Sequence, residues 1–169
     1  MPGNPLPDAE QLLKALIEQM RPAVGPETGL IGIHTGGAWV AERLHQALKP
    51  KIPCGFLDVS YYRDDYAERG LKRDVKRSEI PFEVEGRDLI LVDDVLYTGR
   101  TIRAALNELF DYGRPASVKL AALVDRGGRE LPVAAQFVGA RVEADPAKSV
   151  DLERSAAGRL SLVLSGRQS

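Results

Sequence analysis

The sequence predicts an α/β protein: a mostly parallel sheet flanked by helices. Three observations carry that expectation. Continuous apolar runs stand at 30–33, 89–92 and 118–124, and such runs mark strands buried on both faces. Helically spaced apolar residues lie between them, and strand–helix alternation is the pattern of a parallel sheet. Each run also opens into a polar or glycine-bearing turn, at 34–37, 93–100 and 125–129. In sheets of this kind the turns at the carboxyl ends of the strands hold ligands.

The elements follow in order. Residues 1–7 are rich in Pro and Gly and read as a loose tail. Asp8 is placed to cap a helix from Ala9, with Gln11 completing a capping box, and Leu12, Leu13, Leu16, Ile17 and Met20 recur at helical spacing. Pro22, Gly25 and Pro26 stop it. Leu30 to Ile33 is a strand, Thr35-Gly36-Gly37 a tight turn, and Ala38 to Leu48 a helix with Val40, Leu44 and Leu48 on one face. Cys54 to Val59 is a second strand. The stretch 62–80 mixes basic Arg63, Arg69, Lys72, Arg73, Lys76 and Arg77 with five acids and few apolar residues, and reads as a solvated, flexible loop. Leu89 to Val92 is a buried strand, 93–100 a polar loop, and Thr101 to Tyr112 a helix ended by Gly113. Val118 to Val124, Phe137 to Val142 and Leu160 to Leu164 are further strands.

The 169 residues suit one domain, 1–169, since about 150 residues per domain is usual. A chain of that length buries roughly 70% of its unfolded surface, so its core needs no staple. The net charge of -1 argues against a generally basic nucleic-acid binder, without excluding local patches. No apolar run approaches the ~20 residues of a membrane span. The first residues lack a basic flank and an apolar segment, so no secretory signal is expected. One cysteine forms no internal disulfide, and with two separated histidines it makes no structural zinc site; a reducing, cytoplasmic setting fits.

The chemistry concentrates at Leu89-Ile90-Leu91-Val92-Asp93-Asp94-Val95-Leu96-Tyr97-Thr98-Gly99-Arg100-Thr101. A strand delivers two carboxylates, and a Thr-Gly-x-Thr turn opens a helix. The amino end of a helix presents unpaired N–H groups and partial positive charge, which suit a phosphate. Thr98 and Thr101 add hydroxyls, and Gly99 allows close approach. No lysine stands in the Walker position, so this is not a nucleotide P-loop. Two adjacent acids at a strand end suit sugar hydroxyls, with or without Mg²⁺. Taken singly, each feature is equally a helix cap or a common turn.

This stretch resembles the phosphoribosyl-diphosphate (PRPP) signature of the type I phosphoribosyltransferases. With Tyr62-Arg63-Asp64-Asp65, Gly113-Arg114-Pro115, Leu123-Val124-Asp125-Arg126-Gly127 and Arg129-Glu130-Leu131-Pro132, the chain is similar to the pyrimidine regulatory (PyrR) family from about Leu30 to Val142. The resemblance implies a type I phosphoribosyltransferase fold with a small hood and a mobile active-site loop. It implies uracil phosphoribosyltransferase activity (uracil and PRPP giving UMP and pyrophosphate, with Mg²⁺), together with UMP- or UTP-dependent binding of an mRNA leader hairpin. It also implies a homodimer or higher homo-oligomer. Asp93 and Asp94 would hold the ribose hydroxyls, and Val95, Leu96, Tyr97, Thr98, Gly99, Arg100 and Thr101 would cradle the 5′-phosphate. Thr35 and Gly36 would form the pyrophosphate turn, while Asp125, Arg126 and Gly127 would border the base. Lys72, Arg73, Lys76 and Arg77 would supply loop cations to the leaving group. Mg²⁺ would arrive with PRPP, with Asp93 and Asp94 as its candidate protein ligands.

Two positions depart from the family pattern. Gly36 stands where the turn commonly reads Thr-Arg-Gly, which removes a guanidinium from the pyrophosphate and leaves the backbone amides. Gly128 stands where histidine is common. These departures keep a rival reading in play, a non-catalytic or weakly catalytic nucleotide-sensing regulator. A transferase for another base is disfavoured by the Tyr-Arg-Asp-Asp and Asp-Arg-Gly motifs. The cations available to RNA are Arg103, Arg114, Lys119, Arg129, Arg141 and Lys148.

Overall fold

A computed structural model describes residues 6–59 and 78–166. Its centre is a parallel five-stranded sheet of order β2-β1-β3-β4-β5, built from β1 (Gly29–Ile33), β2 (Gly55–Leu57), β3 (Asp88–Leu96), β4 (Ser117–Asp125) and β5 (Phe137–Arg141). Helices α1 (Ala9–Met20) and α2 (Gly36–Leu48) pack on one face; α3 (Arg100–Leu109) packs on the other.

Alternate residues of each strand feed the two faces. Leu30, Ile90 and Val92 join α1 and α2, whereas Ile31, Leu89 and Leu91 join Ile102, Ala105 and Leu109 of α3. That two-sided burial explains why these strands read as unbroken apolar runs. Asp8 caps α1 as expected, its Oδ1 accepting the Glu10 N–H at 2.9 Å.

Several boundaries differ from expectation. Helix α2 begins at Gly36 rather than Ala38, because both glycines wind into its first turn. Helix α3 ends at Leu109, and the chain leaves through turns before Gly113. The histidine on α2, His45, is half-buried and donates Nε2–H to the Ile52 carbonyl at 2.8 Å. Cys54 is half-buried; burial first, and the charge of Glu42 second, push its thiol up to about 12, so it packs as an inert apolar group.

An antiparallel hairpin completes the described chain, β6 (Lys148–Arg154) with β7 (Leu160–Gly166), registered Leu152 to Leu162 and Val150 to Leu164. Strand β6 went unread in the sequence, although Val150 and Leu152 alternate with Ser149, Asp151 and Glu153. The hairpin lies against α1 and β3. One carboxylate ties it down. Glu10 on α1 accepts from Arg43 of α2 (Nη2 at 2.6 Å, Nη1 at 3.2 Å) and from the Leu160 N–H at 2.8 Å. A second fastening is the Arg154 guanidinium, 4.8 Å over the ring of Trp39.

The Arg43 hydrogen bond, then that from Leu160, outweigh burial and hold the Glu10 carboxyl below its ordinary value of 4.5. A depressed carboxylate stabilises the fold above that value, and the contribution fades as pH falls through the native pKa. Glu10→Gln is expected to lower the melting temperature at pH 7 by roughly 3 °C, or about 1 kcal/mol after solvent screening. The difference from the unsubstituted chain should shrink below pH 4, as calorimetry at both pH values will show.

Candidate functional site

The carboxyl ends of β1, β3 and β4 converge on one edge of the sheet, and the site is built there. Strand β3 runs further than the sequence suggested. Asp93 and Asp94 are strand residues rather than loop, because β4 keeps pairing alongside them, Asp93 with Ala122 and Leu96 with Asp125. Asp93 is buried and accepts the Asp94 N–H on Oδ1 at 2.9 Å; Asp94 is half-buried and accepts the Val95 N–H at 2.8 Å.

Helix α2 starts directly against these acids. A Cβ on Gly37 would stand 2.5 Å from the Val92 carbonyl oxygen and 3.1 Å from the Asp93 Cα. A Cβ on Gly36 would overlap Asp94 Oδ2 and lie 2.7 Å from its Cγ. The two glycines therefore press the positive end of α2 onto a pair of carboxylates. The sequence places Gly36 in the turn, whereas it is the first residue of α2, and its lack of a side chain is what lets Asp94 sit where it does. The preceding His34–Thr35 peptide is cis. Thr35 is exposed, and its hydroxyl does not cap the helix.

Residues 95–101 form the second half of the site. A cavity of about 120 Å³ is lined by Asp93, Val95, Leu96, Tyr97, Thr98, Gly99, Thr101 and Ile102. The outer carbonyls of the loop are taken by protein. Arg129 donates Nη1–H to the Tyr97 carbonyl at 2.8 Å, and the Glu130 and Leu131 N–H groups donate to the Thr98 carbonyl at 2.9 and 3.1 Å. In a trans peptide the N–H points opposite to the C=O. The Thr98 and Gly99 N–H groups are thereby turned away from the 129–131 segment. Gly99 precedes α3 with φ 94°, and the amino end of α3 adds its dipole. The Arg100 guanidinium does not enter the cavity; its Nε pairs with exposed Glu130 at 2.7 Å.

The third wall follows β4. Asp125 is 4% exposed and both of its oxygens are engaged, Oδ1 by the Gly127 N–H at 2.9 Å and Oδ2 by Arg129 (2.7 Å) and Arg141 (3.2 Å). Burial opposes its ionisation, but the Arg129 and Gly127 hydrogen bonds and the two arginine charges prevail and hold the carboxyl below its ordinary 3.8. Arg126 is buried as well. Its Nη1 donates to the Lys148 carbonyl at 2.9 Å and its Nη2 to the Asp145 carbonyl at 3.2 Å, with the guanidinium carbon 4.1 Å over the Tyr97 ring. Gly127 and Gly128 both take left-handed φ, 73° and 75°. A Cβ on Gly128 would collide with Tyr97 Cε1, so glycine there seats the ring.

The structure thus gathers Thr35, Gly36, Asp93, Asp94, residues 95–101 and Asp125 to Gly127 around one edge. Lys72, Arg73, Lys76 and Arg77 lie outside the described residues. Arg129, read as a surface cation, is turned inward, its Nε donating to the Val133 carbonyl at 2.7 Å. The sequence reading missed that Tyr97 and Arg126 stack; an aromatic and an arginine at neighbouring strand ends were the available signal. Among the described residues there is no cluster of three metal-ligating side chains, and no helix is long and apolar enough to cross a membrane.

Residues 5–151 match the family described as "Phosphoribosyl transferase domain". The chain is 53% identical over 143 residues to the "Bifunctional protein PyrR" of Nitrosococcus oceani, covering 83% of this chain and 81% of that one. It is 48% identical to the protein of the same name from Pseudomonas fluorescens, over 94% and 95% of the two chains. Among solved structures, a purine phosphoribosyltransferase from Pyrococcus horikoshii superposes with TM-score 0.62 at 26% identity, covering 80% of this chain and 83% of that one. A hypoxanthine phosphoribosyltransferase from Staphylococcus aureus gives 0.66 at 19% identity over 85% and 80%, a likeness of fold alone.

Two substitutions probe this geometry. Asp125→Asn leaves Arg129 and Arg141 without a counter-charge and is expected to cost about 3 kcal/mol in urea unfolding at pH 7. Because the Asp125 pKa is depressed, that deficit should close as pH falls below 3.8. Gly36→Ala must displace the Asp94 carboxylate. A crystal structure of the variant should show Asp94 in another rotamer, with a loss of about 1 kcal/mol.

Proposed function

From the premise that this chain belongs to the phosphoribosyl transferase domain family and is one of the PyrR proteins, we propose that it converts uracil and PRPP to UMP and pyrophosphate. We propose also that the same site, filled by a uridine nucleotide, governs binding of a pyrimidine-operon mRNA. The observation that carries the catalytic reading is that the amino end of α2 is seated against Asp94 and Asp93, while Asp93 shares a cavity with Thr98, Gly99 and Thr101 at the amino end of α3. That arrangement suits PRPP, with a helix amino end for each of its phosphate groups and the carboxylates for the ribose between them.

In this reaction the N1–C1′ bond forms, the bond from C1′ to the pyrophosphate oxygen breaks, and the N1 proton passes to solvent or pyrophosphate. No covalent enzyme intermediate is needed. Positive charge grows on the ribose as pyrophosphate departs, and the carboxylates of Asp93 and Asp94 suit both that charge and the 2′ and 3′ hydroxyls. The amides of Thr98 and Gly99, the Thr98 and Thr101 hydroxyls and the α3 dipole hold the 5′-phosphate. The α2 amino end at Thr35 and Gly36 faces the pyrophosphate. Asp125 and Gly127 shape the wall beside the base. Two carboxylates at a strand end are the protein share that Mg²⁺ needs when a diphosphate provides most of its other ligands, and the ion would neutralise the leaving group. The printed name of the relatives, bifunctional, supports the regulatory half.

The test is product formation from uracil, PRPP and Mg²⁺, with hypoxanthine, guanine and orotate in parallel. UMP from uracil alone is expected. The Asp93→Asn/Asp94→Asn pair should lower kcat/KM at least about 100-fold, near 2.7 kcal/mol, with unchanged circular dichroism. Turnover equal to that of the unsubstituted chain would refute the role given to the carboxylates. No product with any base, in protein that still binds UMP, would favour the sensing regulator. An RNA hairpin retained only with UMP, and released by salt, would support the regulatory half.

A further inference from the structure

Arg126 joins three parts of the site that the sequence separates widely. Its backbone N–H donates to the Leu96 carbonyl at 3.0 Å, at the entry to the phosphate loop. Its guanidinium lies 4.1 Å over the ring of Tyr97, inside that loop. Its two terminal nitrogens hold the Lys148 and Asp145 carbonyls, where the chain enters the β6–β7 hairpin. The residue is 8% exposed, and its Nε–H is buried with no hydrogen-bond partner among the described residues. A planar fork can face two carbonyls and an aromatic ring at once, which an ammonium cannot. The unpaired Nε leaves the network incomplete in this arrangement, so a shift of Tyr97 or of the hairpin is not opposed by a full set of bonds.

We propose that Arg126 is a positioning residue that couples the 5′-phosphate loop to the Asp125–Gly127 wall, with the 145–148 segment as its anchor. A phosphate seated at 95–101 fixes the Tyr97 ring, the ring fixes the Arg126 fork, and the fork, tied to the Lys148 and Asp145 carbonyls, fixes the wall that the proposed function sets beside the base. Phosphate occupancy thereby raises affinity for the base half of a nucleotide. The inference rests on the reading of 95–101 as the phosphate loop.

The test compares UMP with ribose 5-phosphate, which share phosphate and sugar and differ in the base. In Arg126→Lys, calorimetry is expected to show ribose 5-phosphate bound within twofold of the unsubstituted chain and UMP about tenfold weaker. Tyr97→Phe, which keeps the ring under the guanidinium, should retain the UMP advantage. Trp39, the single tryptophan, packs under Arg154 of β6 and reports on the hairpin independently. Its emission should respond to ribose 5-phosphate in the unsubstituted chain and not in Arg126→Lys. Equal weakening of both ligands, or of neither, in a folded variant would overturn the proposal. Failure of the unsubstituted chain to bind ribose 5-phosphate would instead overturn the phosphate-loop reading, and the coupling with it.

Discussion

The close seat of α2 on the sheet is the constraint from which the rest of the site follows. Gly32 brings β1 under the helix, where a Cβ would stand 2.7 Å from that of Ala41 and 2.8 Å from the Ala38 Cα. Gly37 and Gly36 then let the first turn meet the end of β3 at Asp93 and Asp94. Side chains at these three places would lift the helix away. The positive end of its dipole would then no longer face the carboxylates, and the side of the cleft proposed for pyrophosphate would open. Removing side chains weakens a helix in isolation; the loss is repaid by the burial of Val40, Ala41 and Leu44 at zero exposure.

The opposite wall follows a different rule, with charge turned inward and, around Asp125, satisfied. Asp125 is the hinge of that network, engaging Arg129, Arg141 and the Gly127 amide. Arg129 in turn spans Tyr97 and Val133. A buried carboxylate with several donors holds a loop in one shape more firmly than apolar contacts alone, because each broken bond strands a charge. The cost is that these groups are not open to a ligand. The wall contributes shape and position, while under the proposed function direct contact falls to the backbone amides of 95–101 and the two strand-end carboxylates. Belonging to the phosphoribosyl transferase family accords with that division, since the reaction requires ligand orientation and charge stabilisation rather than a nucleophile.

Much of the scaffold was legible because it rests on local, periodic signals. The runs at 30–33, 89–92 and 118–124 became β1, β3 and β4, and the Leu12, Leu13, Leu16 stripe became the buried face of α1. The Asp-Asp and Thr-Gly-Arg-Thr pattern was legible as a candidate ligand site for a similar reason: strand, acids, glycine turn and helix start stand consecutively in the chain. The misreadings have one physical origin. Asp93 and Asp94 looked like loop because polar residues seldom sit in a strand, yet parallel pairing with β4 extends the strand past them. Strand β6 was passed over because a hairpin half exposed to solvent carries only two buried apolar residues, Val150 and Leu152.

By itself the sequence determined the class of sheet and the order of its main elements, and it pointed to the residues proposed to meet phosphate and ribose, since those properties depend on composition and spacing within a dozen residues. Tertiary structure alone decided which charges remain available. In the chain Arg126 reads as a residue beside the base and Arg129 as a cation available to RNA, but folding buries one under Tyr97 and bonds the other to Asp125. Gly36 looked like a missing guanidinium, but in the fold it is the space that the Asp94 carboxylate occupies. Apart from the Asp125–Arg129 pair, four residues apart, partners 29 to 58 residues apart set these outcomes, Tyr97 with Arg126 and Gly36 with Asp94. No local pattern encodes such meetings, because they exist only once the sheet has brought its carboxyl ends together.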